Sequence, residues 1–189
     1  HEHRMLDPKR GIEASWLEPS LFGGREHNIM DDYAGLITRK MDDWTETLMY
    51  DEVSAFVHRE KAPEETSEGL YQLSCCVIFF RMMQQQTDLA AQTHNGDLLV
   101  RVIEHACNVM HKMQATWRQM AQQEFKKPTS AKHPDDVNGG LVEYLIALAN
   151  DQLSSADECE RLLHTLAEAA PPERRGRVRE LLDTALNGF

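Results

Sequence analysis

Gly139-Gly140-Leu141-Val142-Glu143-Tyr144-Leu145-Ile146-Ala147-Leu148-Ala149-Asn150-Asp151-Gln152 is the most apolar segment of this 189-residue chain. It follows a polar stretch with two prolines and opens on a glycine pair. From Leu141 the apolar residues recur three or four apart: Leu141, Leu145, Leu148, Gln152, Ala156, Cys159, Leu163 and Leu166 make one stripe of a helix. Leu141 to Leu148 is apolar nearly all round, apart from Glu143 and the Tyr144 hydroxyl. Such a helix is expected at the centre of a bundle, with neighbours on more than one side.

Working outward, the rest of the chain also reads as helix. Helices are expected over about 25–60, 70–93, 97–126, 138–170 and 173–187. The first carries Met30, Tyr33, Ile37, Met41, Trp44 and Leu48, then shifts by one to Met49, Val53 and Phe56. Asp31 and Asp32 near its start and Arg59 and Lys61 near its end suit the helix dipole. At a rise of ~1.5 Å per residue it would be about 50 Å long. The second carries Leu73, Val77, Phe80, Gln84, Thr87 and Ala91. The third carries Leu98, Val102, Ala106, Val109, Met113, Trp117 and Met120, with Asn95 or Asp97 as its cap. Pro171-Pro172 ends the fourth, and Val178, Leu182 and Ala185 stripe the fifth. Lys61 to Gly69, with Pro63 and Gly69 as breakers, reads as a loop, as does the stretch 126–137. No strand pattern is found. The fold class is therefore all-α: an elongated, rod-like bundle of about five helices over 25–189. Residues 1–24 are expected to be a connector that docks onto it through Trp16, Leu17, Leu21 and Phe22.

Composition narrows the function. Hydrophobic residues are 41% and charged residues 27% of the chain, a globular balance. The formal net charge of -11 disfavours nucleic acid, whose binders neutralise phosphates with Lys and Arg, and disfavours an acidic membrane leaflet. It suits a basic protein partner, or simply solubility. No apolar run approaches the ~18 residues that span a bilayer, so direct membrane insertion is not expected. His1-Glu2-His3-Arg4 leads into no apolar core, so no signal peptide is expected, and a chain that opens on His reads as a piece of something longer. Cys75, Cys76, Cys107 and Cys159 lie on helical stripes without Cys-x-x-Cys spacing. They read as reduced core residues of a cytosolic protein.

The motifs of chemistry are missing from the sequence. Glu-x-x-His pairs, as used by di-iron bundles, do not occur, nor does His-Glu-x-x-His. His105 and His111 are six apart and face different sides, and the other histidines are scattered. There is no phosphate-binding glycine loop and no Gly-x-Ser-x-Gly. No catalytic, cofactor-binding or metal residue is nominated, no cofactor is expected, and partner-binding residues stay unassigned. Two polar clusters stand out. Gln84-Gln85-Gln86 reads as one buried glutamine beside two solvated ones. Asn150-Asp151-Gln152 reads as a bridge that fixes helix register, against a contact site. Met82, Met83, Met110, Met113 and Met120 read as core filler, against an adaptable groove.

Gly140 to Gln152 resembles the signature helix of the Sec-six subunit of the exocyst (exocyst complex component 3) in its fungal form. The resemblance extends to Trp16-Leu-Glu-Pro19, Asp32-Tyr33, Trp44, Arg59-Glu-Lys-Ala-Pro-Glu-Glu65, Phe80-Arg-Met-Met-Gln-Gln85 and Asp88-Leu-Ala-Ala91, in order, and covers Trp16 to Leu163. It implies a fragment from the C-terminal half of a non-enzymatic tethering subunit built of helical bundles. That subunit would be cytoplasmic and peripheral to the plasma membrane, where secretory vesicles are held before fusion. Its implied partners are other exocyst subunits and SNARE or SNARE-regulatory proteins, with self-association open. An unrelated helical adaptor or spacer, or a helical ligand-binding or enzyme bundle, is the alternative.

Overall fold

The computed structural model describes residues 26–126 and 140–189, excepting the side chains of 26–28 and 125. The expectations for residues 1–24 and for the 127–137 loop lie outside the described residues. Five helices and one small hairpin follow in order: α1 Glu26–His58, β1 Glu64–Glu65, β2 Tyr71–Gln72, α2 Cys75–Gln92, α3 Gly96–Lys126, α4 Leu141–Ala169 and α5 Arg175–Leu186. With 33, 31 and 29 residues, α1, α3 and α4 make the bundle elongated, each about 45–50 Å long.

The hairpin corrects the sequence reading, which placed a loop at 61–69 and no strand anywhere. β1 and β2 are antiparallel, with Glu64 opposite Gln72 and Glu65 opposite Tyr71. The turn between them is Ser67-Glu68-Gly69. The Gly69 N–H donates to the Thr66 carbonyl at 2.9 Å, and Thr66 N–H donates to the Leu70 carbonyl at 2.8 Å. The Thr66 hydroxyl oxygen accepts two further bonds, from the N–H groups of Glu68 and Leu70. Gly69 has φ +77, where only glycine sits without strain. The signal was therefore turn chemistry around Thr66 and Gly69, not alternation, because a two-residue strand is too short to alternate. The hairpin also shortens the second helix, which begins at Cys75 rather than near Leu70.

α2 packs against α1, α3 and α4; α3 packs against α1, α2 and α5; α4 meets α2, α5 and β2. The central helices are therefore α2 and α3. The expectation that α4 is central is corrected: Val142, Ile146 and Leu153 on its outer face are 55%, 45% and 68% exposed. Its buried face runs through Tyr144, Ala147, Leu148, Asp151, Ser155, Cys159, Leu162 and Leu166. That line lies about one position from the expected stripe. The α2 stripe is displaced likewise. Val77 and Gln84 face solvent, while Cys76, Phe79, Met83, Gln86 and Ala90 are buried. The α3 stripe keeps its phase, with Leu98, Val102, Ala106, Val109 and Trp117 buried. Asn95 caps it, its Oδ1 accepting the Leu98 N–H at 3.0 Å.

Two apolar clusters result. The larger joins α1, α2, α3, α4 and α5 around Met41, Phe79, Met83, Val102, Ile103, Met110, Cys159 and Leu182. The smaller holds Phe56, Leu73, Cys75, Trp117, Tyr144, Ala147 and Leu148. Phe56 is its hub, edge-on to Trp117 at 5.8 Å and to Tyr144 at 5.9 Å between ring centroids. At this end Arg59 closes α1 onto α3, its Nη1 reaching Glu124 Oε2 at 3.0 Å and the Phe56 carbonyl at 2.9 Å.

Candidate interaction surface

Asp151 sits where the two clusters abut. It is buried on α4, and its two oxygens divide between neighbouring residues at the start of α2. Oδ1 accepts the Cys76 N–H at 3.1 Å, and Oδ2 accepts the Cys75 thiol hydrogen with Sγ at 3.3 Å. Cys75 belongs to the small cluster and Cys76 to the large one. The residue preceding α2, Ser74, makes no side-chain cap, so the cap comes from a helix 75 positions away. The Ser74 hydroxyl donates instead to Glu52 Oε1 at 2.5 Å. Next to Asp151, Asn150 Nδ2 donates to the Tyr71 carbonyl at 2.7 Å and fastens β2 to α4. The bridging reading of this cluster thus describes Asn150 and Asp151. Gln152 is half-buried beside Trp117 and Phe189.

Burial pushes the Asp151 carboxyl up to about 6, against the pull of its two hydrogen bonds. Burial also raises the thiols: Cys76 to about 11, Cys107 to about 12 and Cys159 to about 11, with Cys75 raised furthest, by burial and then by Asp151. All four cysteines are free and buried, and a thiol held protonated is a poor nucleophile. Asp151 is therefore a structural tie.

A groove of about 440 Å³ runs between α1 and α2, lined by Trp44, Leu48, Ile78 and Met82 with Arg81 and Asp51 at its edges. Trp44, expected on the buried stripe, is 39% exposed at this groove, with Lys40 Nζ 4.3 Å above its ring. Met82 forms part of the groove wall, whereas Met83 and Met110 are core filler. The run Val77-Ile-Phe-Phe80 held the signal for this groove. Four consecutive apolar residues cannot all face inward from one helix, so Val77 and Ile78 remain outside while Phe79 and Phe80 enter the core. Among the described residues no three His, Cys, Asp or Glu side chains converge as metal ligands would, and no helix is long and apolar enough to cross a membrane.

The family model described as exocyst complex component Sec6 matches residues 2–189. The chain belongs to the exocyst Sec6 family. The exocyst complex component sec6 of Schizosaccharomyces pombe is 32% identical over 173 residues, which are 92% of this chain and 23% of that protein. SEC6 of Saccharomyces cerevisiae is 31% identical over 182 residues, 90% of this chain and 23% of that protein. The chain thus spans about a quarter of the length of these Sec6 relatives. A crystal structure of the C-terminal domain of the exocyst subunit Sec6p superposes with a TM-score of 0.77 at 31% identity, covering 86% of this chain and 44% of that one. The elongated helical bundle is therefore a Sec6 architecture.

Proposed function

We propose that this bundle is a non-catalytic scaffold segment from the C-terminal part of an exocyst subunit. It acts at the cytoplasmic face of the plasma membrane, where the complex tethers secretory vesicles before SNARE-mediated fusion. The observation that carries this reading is the likeness to the Sec6p C-terminal domain, in sequence and in fold, over 86% of this chain. The surface supports it: the Trp44–Ile78 groove and the outward apolar line Val142, Ile146 and Leu153 offer contact area on rigid helices. Its partners are other exocyst subunits and SNARE or SNARE-regulatory proteins.

The test is a pull-down of purified exocyst subunits and SNARE proteins by the immobilised chain, at low and high salt, with Ile78→Asp as the comparison. Ile78 is 48% exposed, so a carboxylate there leaves the core intact while placing a charge on the groove wall. The expected result is capture of at least one such protein, weakened by Ile78→Asp. Absence of capture at both salts, with the chain helical by circular dichroism, overturns the scaffold reading for this segment.

A further inference from the structure

A cleft of about 510 Å³ opens between the last turns of α1, the segment after it and the β1–β2 hairpin. Three exposed carboxylates, Asp51, Glu60 and Glu64, stand around it, and Glu52 forms part of its wall. The basic side chains in the lining are Lys61 and His58. Tyr144 reaches the cleft from α4. It is 5% exposed, and its ring is fixed edge-on against Phe56. Its hydroxyl makes no hydrogen bond among the described residues and is not one of the fully buried unpaired atoms, so it meets the cleft with its acceptor open. Burial and then the Glu52 charge raise its pKa, so it stays a neutral phenol.

We propose that this cleft is the docking site for a short basic segment of a protein partner. Its Lys or Arg head groups lie among Asp51, Glu52, Glu60 and Glu64, and one of their N–H groups donates to the Tyr144 hydroxyl oxygen. Three considerations select this ligand. The carboxylates are spread around the rim and do not converge, which suits several charges on an extended segment. The lining sets four carboxylates against Lys61 and His58, and a concave wall with that excess of negative charge concentrates field on a cation. The volume falls within the usual ~300–1,000 Å³ of ligand sites. Tyr144 supplies the fixed polar contact that a merely solvated acidic surface lacks. The site is defined by its own chemistry, and its test is independent of which complex the chain serves.

The experiment is fluorescence anisotropy of a labelled octa-lysine peptide with the 189-residue chain and three variants. Asp51→Asn/Glu60→Gln/Glu64→Gln removes three charges from the cleft. Asp157→Asn/Glu160→Gln/Glu168→Gln removes three exposed charges from α4 and serves as the control of equal net charge. Tyr144→Phe removes the hydroxyl alone. The expected result is binding about tenfold weaker in the cleft variant, less than about twofold weaker in the control, and about two- to fivefold weaker in Tyr144→Phe, each with an unchanged helical melt. Equal losses in both triple variants would mean that the peptide reads net charge, and would overturn the site. Tyr144→Phe binding as tightly as the wild type would overturn it too, because the polar contact distinguishing this cleft would be absent.

Discussion

The two apolar clusters of this molecule are built differently. The larger is aliphatic and sulfur-rich, drawn from five helices, with fully buried Met41, Met83, Val102, Ile103 and Leu182 at less than 2% exposure. The smaller is centred on three aromatic rings, and it gathers one to three residues from each of several chain-distant places: the end of α1, the segment after β2, the start of α2, the second half of α3 and the start of α4. The larger cluster is stabilised by area spread over many interchangeable contacts. The smaller depends on one hub, Phe56, and carries an unpaired donor, since Trp117 Nε1 is buried without a hydrogen-bond partner among the described residues. Area makes a core robust to single changes, and a hub makes it fragile.

The sharpest break of that comparison is Phe56→Ala. Losing a fully buried ring that touches both Trp117 and Tyr144 should cost about 3–5 kcal/mol in urea unfolding. The near-UV signal of Trp117 should fall before far-UV helicity does. Coincident loss of both signals would mean that the clusters unfold as one unit and that the hub is not special.

Asp151 tests the seam between them. Its folded pKa of about 6 lies above the ordinary 3.8, so the protonated form is the one that folding favours. The stability this contributes is complete below about pH 4 and is lost as pH rises through about 6, by up to about 3 kcal/mol. Asp151→Asn keeps an acceptor for the Cys76 N–H and has no charge to bury. Its stability should therefore stay flat over pH 4–7, where the wild type declines. A parallel decline in the variant would move the pH dependence to another group.

Smaller effects calibrate the rest. At the start of α3, a Cβ on Gly96 would stand 2.8 Å from Pro171 Cγ, on a ring that cannot swing away. Gly96→Ala should cost about 1–3 kcal/mol by forcing the α4–α5 turn off α3, visible as a lower denaturation midpoint. Arg101→Ala removes an ion pair to Asp31 whose side chains are 52% and 62% exposed. Its cost should stay below about 1 kcal/mol and shrink further in high salt. A larger loss would show that α1 is held to α3 by charge as well as by its apolar face.

How much of this was legible varied by element. The α3 stripe was, because polar residues flank it and leave one phase open. α2 and the first half of α4 were not, because Val77–Phe80 and Leu141–Leu148 are apolar on more than one face, and periodicity cannot choose between faces that are both apolar. The hairpin was hidden because a two-residue strand has no period. The Trp44–Ile78 groove and the cleft beside Tyr144 lie between elements, so no local pattern encodes them. The family was legible, through the ordered segments from Trp16 to Leu163, and residues 2–189 match the Sec6 model.

The sequence by itself determined that the chain is a bundle of about five helices, where most of them stop, and which family it resembles. Helix periodicity, prolines and capping residues are local signals, readable within a few turns. Only the tertiary structure decided which apolar face is buried, that Asp151 caps a helix 75 residues away, and that Phe56, Trp117 and Tyr144 meet. Those outcomes depend on competition among faces for the same buried volume, and on partners far apart in the chain. That competition is resolved only when all the helices pack at once.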